Sequence, residues 1–151
     1  MRIIVYCKDA NRRDDASKTS FDFLGYTFCP RSSRTRRGKL FVNFSPAISQ
    51  KAKTRIAATI KGWNLHLRSG LSIQQIAEKI NPVVRGWINY YGRYHKSALH
   101  PILHILNWRL FRWAYRKYKR FKRSFRRTII WMKHISCTNP ELFVHWKLLN
   151  G

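Results

Sequence analysis

No acidic residue lies between Glu78 and Glu141, although the same stretch carries a long helix-periodic apolar stripe. Any fold of this interval must bury the stripe and leave its cations on the surface without internal counter-charges. Thirty-one Lys and Arg against six Asp and Glu give the 151-residue chain a net charge of +25. Residues 1–45 hold 10 of the basic and 4 of the acidic side chains, so the excess is concentrated downstream. Counter-ions or a polyanionic partner must relieve the self-repulsion of such a surface. Hydrophobic residues at 44% and aromatics at 15% are too abundant for a disordered basic tail, so the chain folds around a core. A folded chain with this charge balance has the footprint of a nucleic-acid binder.

The pattern predicts an α+β fold, with a β-hairpin appendage over 1–44 and a helical bundle over 45–151. Ile3–Cys7, Phe21–Phe28 and Lys39–Phe44 read as strands, the last two forming a hairpin around the basic, turn-rich loop Pro30–Gly38. From Ser45 the period becomes helical. Ser45-Pro46 supplies a capping hydroxyl and a first-turn proline, and Ile48, Ala52, Ile56, Ile60, Trp63 and Leu67 form one face that ends at Ser69-Gly70. A second helix opens at Leu71-Ser72, where Ser72 and Gln75 have capping-box spacing. A third starts at Asn81-Pro82, buries Val84, Trp87, Ile88 and Tyr91, and stops at Gly92. A long fourth runs from Ala98 into the 120s on Leu99, Leu103, Leu106 and Leu110, continued by Ala114, Tyr118, Phe121 and Phe125. A short last helix begins at Asn139-Pro140.

Ten of the nineteen residues from Arg109 to Arg127 are basic. Arg109, Arg112, Arg116, Lys119, Arg123 and Arg126 recur every three or four residues, so on a continuous helix they make one rail of cations opposite the apolar stripe. Without acids to pair at i+4, a merely solvated face of this kind is self-repelling. Trp87, Tyr90, Tyr91, Trp108, Trp113 and Tyr115 interleave with the cations, and at helical spacing we expect them in the core rather than stacked on bases.

Chemistry finds little support. Asp14-Asp15 sits in a polar stretch beside Arg12-Arg13, unsuited to a two-metal centre. His100/His104 and His134/Cys137 lack further ligands, so we assign no metal, no cofactor and no catalytic residue. Three widely spaced cysteines, Cys7, Cys29 and Cys137, fit reduced thiols. With no secretory signal and no apolar run near the ~20 residues of a membrane span, we expect a cytoplasmic protein.

Two stretches resemble group II intron reverse transcriptases and maturases. Ile3–Asp9 with Thr19–Phe28, including Phe21-Asp22-Phe23-Leu24-Gly25-Tyr26, is similar to the last palm segment of that family. Asn81-Pro82-Val83-Val84-Arg85-Gly86-Trp87-Ile88-Asn89-Tyr90-Tyr91-Gly92 is similar to the centre of its maturase-specific thumb, domain X. Asn107-Trp108-Arg109, Trp113, Lys117 and Leu142-Phe143-Val144-His145-Trp146 resemble that domain's tail. The resemblance implies a chain that grips structured group II intron RNA and assists its splicing, and it makes Arg85, Asn89 and Arg93 contact candidates. To these we add Arg34, Arg36 and Arg37 in the loop, Lys51 and Arg55 on the first helix, Lys96, and the rail itself. The family's catalytic Asp-Asp strand, fingers and endonuclease segments have no counterpart here, so the chain is expected to be truncated and not to polymerise or cut by itself. Two alternatives stand beside this reading. One is a non-autonomous thumb that holds an RNA–DNA primer–template duplex with a separate fingers and palm chain. The other is a general cationic binder of chromosome, ribosome or anionic membrane.

Overall fold

The structure, a computed structural model, describes residues 21–29, 31–43 and 46–150. The expected strand at Ile3–Cys7, the Asp14-Asp15 pair, Cys7 and Ser45 lie outside the described residues. As expected, the fold is α+β, with short antiparallel strands preceding a helical bundle.

The expected single strand over 21–28 is two. Strands β1 (Phe21–Phe23) and β2 (Tyr26–Phe28) pair across the two-residue turn Leu24-Gly25, with φ of +50° and +83°. Two consecutive left-handed residues match the right-handed twist of the flanking strands, which makes this a hairpin turn rather than a continuation. The basic loop is also partly strand: β3 (Arg31–Arg34) pairs with β4 (Leu40–Asn43) around the tip Thr35–Lys39. The second neighbour of β2 is β5 (Pro46–Ile48), so the sheet order is β1-β2-β5.

Strand β5 corrects the expected helix start at Ser45-Pro46. Pro46 opens the strand, a position where its missing N–H costs little, and Ala47 and Ile48 are buried. Ser49 is the cap instead, its Oγ accepting from Ala52 N at 3.1 Å. Helix α1 (Gln50–Gly62) buries Ala52, Ile56 and Ile60. It stops well before Ser69-Gly70, because Asn64 takes a left-handed φ of +49° and a 3-10 turn at Leu65–Leu67 follows. Asn is among the few residues that tolerate that conformation.

Helix α2 (Ile73–Tyr91) starts on the expected capping box: Ser72 Oγ accepts from Gln75 N at 3.2 Å, and Gln75 Oε1 accepts from Ser72 N at 2.9 Å. It then passes straight through Asn81-Pro82, so the expected second and third helices are one. The bond Pro82 cannot donate would go to Glu78, and both residues are exposed, so the freed carbonyl is not forced to stay unsolvated. Ile80 and Val84 hold the helix to the core on either side, and the Asn81 amide bridges to Leu142 O and Val144 N at 2.8 and 3.2 Å. Gly92 ends α2, at a site where a Cβ would lie 2.5 Å from Ile88 O.

The expected long fourth helix is broken. Helix α3 (His100–Lys117) ends where Tyr118 turns extended, at ψ 114°. A 3-10 turn at Lys119–Phe121 leads to Ser124, which caps α4 (Phe125–Thr138) through Arg127 N at 3.4 Å. Continuing α3 would stack Arg116 on Arg120 and Lys119 on Arg123, like charges one turn apart. Helix α5 (Val144–Asn150) begins later than expected, Asn139 being the residue that closes α4. The core is built on Leu99, Leu103, Leu106, Leu110 and Trp113 of the α3 side, packed with Ile56, Ile60, Ile76, Val84, Phe143 and Trp146.

Candidate nucleic-acid interface

Helix α3 separates its two chemistries by face. Leu106, Leu110, Trp113 and Ala114 are buried, while Arg112 and Arg116 are exposed and Arg109 is half-buried. The three arginines act together on one imidazole. His66, in the 3-10 turn at Leu65–Leu67, is held below the usual histidine pKa, first by burial and then by the guanidiniums of Arg116, Arg112 and Arg109. Its Nδ1 is buried without a hydrogen-bond partner among the described residues. Three fixed positive charges thus converge where α3 meets that turn, and sequence spacing alone gave no hint of His66. Its importance comes from a helix more than forty residues away.

Not every cation of the basic stretch is free for a partner. Lys117 Nζ donates to Ser69 O at 2.9 Å and Leu71 O at 2.6 Å, and lies over the Trp113 and Tyr118 rings. One turn earlier, Trp113 Nε1 donates to Arg68 O at 2.9 Å. The resemblance pair Trp113 and Lys117 therefore ties residues 68–71 to α3. Arg120 stacks over Tyr118 and Phe121, with its guanidinium carbon 5.3 and 4.8 Å from the ring centroids.

The break after Lys117 divides the expected rail. Arg109, Arg112 and Arg116 remain on one face of α3, Lys119 and Arg123 fall in the connection, and Arg126 stands in the first turn of α4. All three of the latter are exposed. On α2, Arg85 and Asn89 are exposed one turn apart while Val84 is buried, and Arg93 lies just beyond Gly92 with its guanidinium carbon 5.9 Å from the Tyr94 centroid. Lys51 and Arg55 are exposed one turn apart on α1, and Lys96 is exposed in a 3-10 turn. Arg34, Arg36 and Arg37 are exposed at the β3–β4 tip, which Thr35 closes by accepting from Gly38 N and Lys39 N.

The aromatic residues divide as well. Trp113 is fully buried, and Trp87 stacks on Trp63 at 5.5 Å and 17°. Tyr90 and Trp108, expected in the core, are 47% and 53% exposed. Trp108 stacks on Phe111 at 5.2 Å and 8°. Among the described residues, no three His, Cys, Asp or Glu side chains gather as a metal would require, and no helix is long and apolar enough to cross a membrane.

A sequence profile of the family described as "Group II intron, maturase-specific domain" matches residues 53–131, just over half of the chain. The match runs from the first turn of α1 to the middle of α4, so it contains the His66 turn and the three arginines. Neither a curated protein nor a solved structure matches the chain.

Proposed function

The chain belongs to the group II intron maturase-specific domain family, and from that premise we propose that it binds structured intron RNA through the cations of α3 and assists that RNA to splice. Its family places it in group II intron splicing; the RNA contact, the residues that make it and the part played by the β-hairpins are our reading. The observation that carries it is that Arg109, Arg112 and Arg116 share one face of α3, the helix packed on the His66 turn, with no acid on the same helix. Guanidinium groups bind phosphates bidentately, and a surface that cannot neutralise itself gains most by displacing condensed counter-ions from RNA.

Arg85, Asn89 and Arg93 extend the surface along α2, and Lys119, Arg123 and Arg126 extend it into α4. Within this reading the hairpins of residues 21–43 are an appendage to the helical domain, joined to it where β2 pairs with β5. The role assigned is binding rather than chemistry.

The test is binding of a folded group II intron RNA across a salt series. The wild-type protein is expected to lose affinity steeply with salt, and Arg112→Ala with Arg116→Ala to flatten the slope by about 2, roughly one per lost phosphate contact. Equal affinity for heparin and for the folded intron would remove the maturase reading. Failure to bind structured RNA at low salt would remove RNA binding itself. Splicing of the same intron with and without the protein then reads the assistance directly.

A further inference from the structure

A groove of about 520 Å3 opens between α3, α4 and α5, lined by none of the residues of the His66 turn, and its walls include Trp108, Phe111, Ile129, Met132 and Lys133. The volume falls in the range of small-ligand clefts, roughly 300–1,000 Å3. We propose that this groove receives a single unpaired nucleotide of the bound RNA, its base stacked on Trp108 and its phosphate held by Lys133. The inference rests on the RNA-binding reading and adds a second, base-directed site to it.

Three features select a nucleotide over an apolar peptide. Trp108 is half-exposed and is the outer ring of a continuous stack, with Phe111 against it, Phe125 against Phe111 at 5.4 Å and 21°, and Tyr115 against Phe125 at 4.3 Å and 20°. A further planar ring extends that stack at little entropic cost, and ring stacking on bases tolerates any base identity. The polar groups at the groove favour an acceptor-rich anion. Asn107 Oδ1 is already taken by His145 and Trp146, so the amide can offer a ligand only its N–H, and Lys133 adds a cation. None of the described acids lines the groove. A second copy of a chain carrying +25 is correspondingly disfavoured as occupant.

The experiment compares wild type with Trp108→Ala and Trp108→Phe, on a single-stranded uridine octamer and on a blunt RNA duplex of matched length and salt. Trp108→Ala is expected to weaken the single strand by about 5- to 100-fold and the duplex hardly at all, with Trp108→Phe restoring most of the difference. Ile129→Asn, on the opposite exposed wall, makes the same comparison if Trp108→Ala melts early by circular dichroism. Unchanged single-strand affinity in both variants, while Arg112→Ala still weakens the duplex, overturns the groove and leaves the RNA reading standing. Loss of self-association rather than of RNA affinity in Trp108→Ala, read by sedimentation, overturns it in favour of a protein interface. A wild type that binds neither RNA removes both readings together.

Discussion

His145 Nε2 lies 2.6 Å from Asn107 Oδ1, joining a fully buried side chain of α5 to a half-buried one of α3. The same oxygen accepts from Trp146 Nε1 at 3.0 Å. Because an indole nitrogen only donates, the Asn107 atom facing it is the oxygen, and His145 must therefore present Nε2–H. Its other nitrogen, Nδ1, is then a bare lone pair, buried and without a hydrogen-bond partner among the described residues. Replacing Asn107 by Ala strands two buried donors at once. We expect a loss of about 2–4 kcal/mol of stability, read by urea unfolding.

The same geometry sets a pH dependence. Burial pushes the His145 pKa down to about 3, against about 6.5 in an unfolded chain. Between those values the unfolded state binds a proton that the folded state refuses, so stability is lost as pH falls from about 6.5 towards 3. The slope from this group is at most about 1.4 kcal/mol per pH unit. Urea midpoints measured from pH 7 to pH 4 are expected to drop less steeply in His145→Gln, which keeps an N–H donor for Asn107 and cannot titrate.

Gly25 ties the β1–β2 hairpin to α2. Its φ of +83° disfavours any Cβ, and an added Cβ would meet Tyr91 Cε1 at 2.9 Å. Tyr26 donates its hydroxyl to Tyr90 O, and Tyr90 donates its own to Leu24 O at 2.8 Å, so the contact is reciprocal. Gly25→Ala is expected to cost about 1–2 kcal/mol. Amide exchange should rise first in residues 21–28 and leave α3 protected; uniform loss of protection would contradict this placement.

Lys117 and Arg112 are both basic and only five positions apart, yet their substitution should read differently. Lys117→Met leaves Ser69 O and Leu71 O without their ammonium, and we expect about 1–3 kcal/mol of destabilisation with the salt slope of RNA binding unchanged. Arg112→Ala, on an exposed face, is expected to shift stability by under about 0.5 kcal/mol and to reduce the slope. Thermal melts and salt titrations on the two proteins separate the roles.

Much of the helical body was legible from periodicity and caps. Leu99, Leu103, Leu106 and Leu110 are each at most 1% exposed, as their spacing demanded, and the Ser72–Gln75 box and the Gly92 stop stand where the residues put them. What stayed hidden depended on partners distant in sequence. Pro82 looked like a helix start because its own segment cannot reveal that Asn81 is anchored by residues 142–144. Pro46 looked like a first helical turn because only β2 makes it a strand. The rail from Arg109 to Arg126 read as one face because periodicity carries no term for repulsion between successive cations. Trp108 read as core because a half-exposed ring at the edge of a stack has the same spacing as a buried one.

Under the RNA-binding reading, the turn at Tyr118 bears on the size of what this surface could grasp. A straight helix from Arg109 to Arg126 would be a ruler of roughly 26 Å, long enough to track a groove of regular duplex. The segment that stays straight, Arg109 to Arg116, measures roughly 10 Å, and the remaining cations leave it in a new direction. Such a surface suits a sharply folded stretch of backbone, where phosphates from different strands crowd together, better than a long even helix.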